Sequence, residues 1–240
     1  LQGPLGPPPV DTTRAPLGGA WPELLRRAEE RHGALGQRAA MFLAEHAPAR
    51  DAGLDVELLM EHLTLALEAR VRFPWAASVP EDVFLNDVLP YAVLDETRER
   101  WRPKLLEVAA PLVAEAKTVE EAAQALNRGL FNAVNVHYNT GRKQPNQSPF
   151  ESLAQTRATC TGLTILLVDA CRAVGVPARA AGVASWRDKR GNHTWVEVFD
   201  GQRWRFTGAD EFDAAGLDRG WFTGDAAQAV AGNARYSVWA

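Results

Sequence analysis

Two cysteines, Cys160 and Cys171, stand eleven residues apart in the run RATCTGLTILLVDACRAVGVPARA. The run reads as one helix, ended by Gly175 and Pro177. Along a helix such a separation is about 16 Å, whereas a disulfide needs Cα atoms within about 7 Å, so the two do not form a bridge. Cys171 lies among Leu167, Val168 and Val174 and reads as a small core residue. Cys160 opens the helix, with Thr159 as its N-cap. Unpaired N–H groups and the positive end of the helix dipole favour the thiolate there, and such a thiol falls from about 8.5 toward roughly 3.5–7.5. The backbone N–H groups of Cys160 and Thr161 could also hold a developing oxyanion.

A thiolate that attacks a carbonyl needs a base, and the base needs an orienting group. His193 opens the alternating run HTWVEVF, 33 residues after Cys160. His32, His46, His62 and His137 lie in or at the ends of N-terminal helices and read as surface or packing histidines. The following run, WRFTGADE, ends in two acids. The DGQ between the two runs is a hairpin signal, so the second strand returns antiparallel to the first. His193 is seven residues before Asp200, and Asp210 is eight after Gln202. The count therefore expects Asp210 beside His193, with Glu211 facing away unless Gly208 forms a bulge and swaps the parity. Gln147, in QPNQSP, is a further candidate oxyanion donor, and Trp186 and Trp195 are candidates to line a substrate groove. No metal-ligand spacing or EF-hand pattern is present, and no cofactor is expected.

These residues need elements to hold them. The chain has 240 residues, 46% apolar and 23% charged, with a net charge of −4, so no basic balance points to nucleic acid. No apolar run reaches the roughly 18 residues that span a bilayer. Residues 1–19, opening LQGPLGPPPV, read as a Pro/Gly-rich tether, and an exported protein is expected. Apolar periodicity predicts helices over residues 21–46 and from Val56 to Phe73, then short turns around Pro74, Pro80 and Pro90. Another helix is expected over residues 94–116, interrupted by Pro103 and Pro111. Thr118 and Glu121 form a capping box for a helix running to Tyr138. A polar loop, NTGRKQPNQSP, leads to the Cys160 helix, followed by strands in ARAAGVASW, HTWVEVFD and QRWRFTGAD and a last one in NARYSVWA. Helices first and strands afterwards give an α+β fold, with 20–117 as a helical region packed on a core of 118–240.

The order of Cys at a helix start, His at a strand start and acid on the next strand resembles the transglutaminase-like superfamily of cysteine enzymes. Cys160 before TGLTILLVDACRAVGVPAR, then NHTWVEVFDGQRW, then GADE carry the resemblance, which covers residues 118–240. The upstream FPWAASVPEDVFLNDVLPY resembles a helical region that precedes this core in some bacterial members. Two features depart from the family pattern: the approach QTRATC lacks glycine, and Gly208 stands four after Trp204, where many members carry Asp. The resemblance implies a papain-like core in which the Cys160 thiolate attacks a carboxamide or peptide carbonyl. His193 would then move the proton and Asp210 or Glu211 would orient it. The partner implied is a protein or peptide substrate, whose acyl group passes to water or to an amine. The rival reading is a non-catalytic binding or scaffold module that retains the fold.

Overall fold

A computed structural model of the chain describes residues 18–240, so all but the last two residues of the expected tether lie outside it. The helices of the first half are α1 (Trp21–His46), α2 (Val56–Arg72), α3 (Glu81–Asp87), α4 (Trp101–Leu112) and α5 (Val119–Val134). A short strand β1 (His137–Tyr138), α6 (Pro149–Gln155) and β2 (Arg157–Ala158) lead to α7 (Cys160–Ala173). Then come β3 (Ala178–Val183), β4 (His193–Phe199), β5 (Trp204–Thr207), α8 (Thr223–Ala226) and β6 (Val238–Trp239). The four-stranded sheet has the order β5-β4-β3-β6 and is antiparallel throughout. The fold is α+β, with N-terminal helices before a helix packed on that sheet. No helix among the described residues is long and apolar enough to cross a membrane.

Helix α7 is buried on all sides after its first residue. Leu163, Ile165, Leu166, Leu167 and Val168 are each at most 1% exposed. Each such side chain contributes about 1.5–3 kcal/mol on burial, which fixes the helix that carries Cys160. The far end of α7 is set by Gly175, whose φ of +73° is a left-handed position and whose Cβ would strike Ala76 at 2.7 Å. The Trp75 indole N–H donates to the Val174 carbonyl there (2.9 Å), tying the end of α7 to the N-terminal helices.

One apolar cluster joins α4, α5, α7, β3 and β4 through Trp101, Leu105, Leu126, Leu166 and Val196. A second holds α1, α2 and α3, and a third, with Trp186, Trp195 and Phe222, covers the other face of β3 and β4. Arg102 of α4 is fully buried and donates to the carbonyls of Val88, Leu89, Pro90 and Arg172.

The elements differ from expectation in three places. The helix expected from residue 94 starts only at Trp101. Before it, the Glu96 carboxylate accepts the N–H groups of Val93 and Leu94, and Arg98 donates to the Leu94 and Glu96 carbonyls and to Asp51. These bonds satisfy the backbone without a helix, and Pro103 falls in the first turn of α4, where no N–H is needed. Helix α5 ends at Val134 because Asn135 adopts a left-handed φ of +52°, which sends His137 and Tyr138 into β1. Helix α6 occupies a stretch with no helix expected. Ser148 and Glu151 form a capping box around Pro149 at its first position.

Candidate active site

The approach to Cys160 is a narrow ribbon. β2 pairs parallel with β1, His137 opposite Arg157 and Tyr138 opposite Ala158. Gly162, in the first turn of α7, makes room for it: a Cβ there would meet the Ala158 side chain at 2.9 Å. Thr159 takes the N-cap position in extended conformation, but its side chain caps nothing. Its hydroxyl instead accepts from Arg142 Nε (2.8 Å). The N-terminal N–H groups of α7 are thus left without a side-chain cap, beside a partly exposed Cys160.

Two threonines of α7 set the helix against β4. Thr161 and Thr194 share a hydroxyl hydrogen bond of 3.1 Å, and Thr164 donates to the Thr194 carbonyl (3.2 Å). Thr194 follows His193, so these bonds fix the imidazole relative to the thiol. Burial alone would raise the Cys160 thiol. The neighbouring His193 imidazole, with the Thr194 backbone and the Thr161 hydroxyl, outweighs it and holds the thiol below its ordinary value. Cys171, the other thiol, is buried and pushed up to about 12.

His193 is 5% exposed and packed between Trp221 (ring centroids 4.8 Å) and Phe222 (4.6 Å). Burial would depress its pKa, but Cys160 and Glu211 raise it to about 9. Its Nε2 lies 3.6 Å from Glu211 Oε1, an ion-pair distance too long for a formed hydrogen bond, and the Nε2 has no hydrogen-bond partner among the described residues. Catalytic contacts are commonly long in the empty state and tighten around substrate. With Nε2 toward Glu211, Nδ1 is the ring atom left for the thiol.

Asp210, expected beside His193, is elsewhere. The β4–β5 register pairs Val196 with Thr207 and Glu197 with Phe206, and its extension would put 210 opposite 193, as the count from the turn expects. The strand stops at Thr207, however, and residues 208–211 form a turn closed by Glu211 N–H to the Gly208 carbonyl (3.2 Å). Asn127 of α5, buried, builds that turn. Its amide donates to Thr207 Oγ1 and the Gly208 carbonyl (both 2.9 Å), and its oxygen accepts from Asp210 N–H (3.0 Å). Asp210 takes a left-handed φ of +64° and its carboxylate turns to His137 Nδ1 (3.1 Å). Glu211 reaches His193 instead, folding back over Gly208, where any Cβ would collide with its carboxylate. The glycine is therefore required, and the parity swap that it signals in the sequence is realised as a turn.

The candidate substrate residues fare differently. Trp195 is buried and stacks on Phe222 (4.9 Å), and Trp186 is buried beside Trp221 (6.3 Å), so both support the site from beneath and offer no groove surface. Gln147 is fully buried, and its amide donates to the Arg157 carbonyl (2.9 Å) and Ser152 Oγ (3.3 Å), so its donors are spent. His137, expected as a surface or packing histidine, is exposed, with its Nδ1 held by Asp210. Sequence reasoning missed Asn127, Thr194 and the hydroxyl of Thr161, whose backbone alone it had singled out. Asn127 carried a signal, a polar residue on the apolar face set by Ala123, Leu126 and Leu130. Trp221 of the same segment, unlike Trp186 and Trp195, faces solvent. That indole is 60% exposed, lies over His193 and donates from Nε1 to Glu211 Oε1 (3.0 Å). A cleft of about 760 Å³ opens beside it, lined by Glu211, Asp213, Arg219 and Thr223 among others.

Residues 106–209 match the family model described as the transglutaminase-like superfamily. The match holds Cys160 and His193 and stops one residue before Asp210. No curated protein matches the chain. A crystal structure from Cytophaga hutchinsonii, named as a "Putative Cysteine Protease", is 24% identical with a TM-score of 0.39. The similarity covers 48% of this chain and 40% of that one, so the chain spans less than half of that protein's length.

Proposed function

We propose that the transglutaminase-like domain carried by this chain is a cysteine acyl-transfer enzyme acting on peptide or carboxamide bonds, with Cys160 as nucleophile, His193 as acid and base, and Glu211 as the group that orients His193. The observation that carries this reading is the thiol at the uncapped start of α7, lowered by an imidazole that is itself raised to about 9.

In this mechanism the thiolate attacks the carbonyl carbon, and the oxygen takes up the electron pair of the C=O bond. The N–H groups of Cys160 and Thr161 face that oxyanion. As the C–N bond breaks, the His193 imidazolium gives its proton to the departing amine and a thioester remains on Cys160. Water or an amine, deprotonated by His193, then attacks the thioester and restores the thiol. Glu211, behind Nε2, keeps Nδ1 toward the sulfur and stabilises the imidazolium. Asp210 is not assigned this role, because its carboxylate is on His137. The substrate is a protein or peptide, and the acceptor separates hydrolysis from amine transfer.

Turnover of a peptide-amide library, measured with and without a primary amine, tests the reading. Wild type is expected to release ammonia or amine, and Cys160→Ala to release none while retaining the folded spectrum. Equal turnover in the two would overturn it.

A further inference from the structure

We propose that the ribbon of β1, β2 and the loop from Asn139 to Lys143 is an anion-recognising subsite beside Cys160, and that the acyl-transfer substrate carries a carboxylate close to the carbonyl under attack. This rests on the reading of Cys160 as the nucleophile and adds the substrate's charge to it.

Three cations lie along the ribbon that leads to α7, Arg157 with its Nε donating to the Gln155 carbonyl (3.1 Å). Arg142 is anchored by its Nε on the hydroxyl of Thr159, the residue before Cys160, and its two terminal nitrogens make no hydrogen bond among the described residues. Arg157 opens β2, three residues before the thiol, and is exposed. Lys143 is exposed next to Arg142, its backbone N–H held by Gln155 Oε1 (3.0 Å). The ribbon is pinned to the α7 approach by Asn139 N–H donating to the Ala158 carbonyl (2.8 Å).

None of the three cations has a carboxylate within 4.0 Å among the described residues, and the outer nitrogens of Arg142 are free beside Thr159. The nearby carboxylates have other partners. Asp210 holds His137, and Glu151 holds the α6 cap, Gln144 and Thr97. Like charges gathered at the positive end of a helix repel one another and are stabilised by an incoming anion. A guanidinium fixed at Nε with its outer nitrogens free presents the fork that a carboxylate accepts in bidentate fashion. The carboxylate is either an acidic side chain or a peptide's terminal group, and both share this chemistry.

Alkylation of Cys160 reads the subsite without a known substrate, because iodoacetate and iodoacetamide differ in a carboxylate and Cys171 is buried. The rate with iodoacetamide at pH 6, compared with a free thiol, tests the nucleophile, and the iodoacetate-to-iodoacetamide ratio tests the subsite. Arg142→Gln is expected to lower that ratio about fivefold, and raising the ionic strength to about 0.5 M to lower it in wild type but little in the variant. Arg72→Gln, on α2, should leave the ratio as it is. Should Arg142→Gln not fold, Arg157→Gln and Lys143→Gln, both at exposed positions, are each expected to lower it about twofold. Protection of Cys160 by Ac-Ala-Glu-Ala-NH2 or by Ac-Ala-Ala-Ala-OH then identifies a side-chain or a terminal carboxylate. A fast iodoacetamide reaction with a ratio untouched by any of the three substitutions would overturn the subsite alone. A slow, ordinary reaction would overturn the nucleophile and the subsite with it.

Discussion

The two neighbouring acids make opposite contacts, and substitution should separate them. Glu211→Gln removes the charge behind Nε2 of His193 and is expected to cut kcat by roughly 10²–10⁴. Asp210→Asn, whose partner is His137, is expected to cost less than about tenfold. Peptide-amide turnover at saturating substrate measures both, and the reverse ranking would move the orienting role to Asp210. The ionisable pair sets the pH profile. The thiol of Cys160 is lowered and His193 is raised to about 9, so thiolate and imidazolium coexist between those two values. kcat/KM should be bell-shaped, with its alkaline limb near 9, and Glu211→Gln should draw that limb to lower pH. For stability, the His193 contribution is full below the ordinary imidazole value of about 6.5 and is lost as pH rises through about 9. The Cys160 contribution has the opposite sense, being present above the ordinary thiol value of about 8.5 and lost as pH falls through the lowered one. Of the proposed site, Cys160 and His193 are legible because a helix start and a strand start each leave a sequence signal. Glu211 over Asp210 is not, because the choice depends on a buried amide from a helix some eighty residues earlier.

At the scale of elements, α7 was readable from end to end, and the hairpin after β4 was readable from Asp200, whose carboxylate accepts the N–H groups of Gln202 and Arg203. The turn at 208–211 was not, since a four-residue strand stops where tertiary hydrogen bonds replace ladder bonds. Helix α6 was missed because seven residues leave little periodicity, although its capping box was in view. Asn127 is where α5 and this turn meet. Asn127→Ala removes three hydrogen bonds and leaves buried partners unsatisfied, so it is expected to cost about 2–3 kcal/mol in urea unfolding. It should also lower kcat by loosening Glu211. Wild-type kcat in a variant destabilised by that amount would show that the turn does not position the carboxylate.

For the molecule as a whole, the helical region was expected to pack on the core, and one apolar cluster runs between them. Trp101, Leu105 and Ala109 of α4 share one apolar cluster with Leu163, Leu166 and Val196, and Arg102 sits fully buried between the two regions. We therefore propose that residues 20–116 and the core fold as one unit. Limited proteolysis is expected to yield no stable fragment of 118–240, and recovery of a folded one would contradict the proposal. Burial lowers the Arg102 guanidinium from its ordinary value while the charge of Asp169 opposes the shift. Arg102→Ala would leave the interior carbonyls it now serves without donors, and a loss of roughly 3–5 kcal/mol is expected in chemical denaturation.

The indole of Trp221 lies against His193 and bonds Glu211, and that placement makes the site visible to light. A protonated imidazole quenches the emission of an indole in contact with it, and a neutral one does so far less. The fluorescence of this chain should therefore brighten as His193 loses its proton near 9, with Trp221→Phe abolishing the change. In the proposed mechanism the same emission would follow formation of the thioester, when His193 gives up its proton, so Trp221 would report each turnover optically.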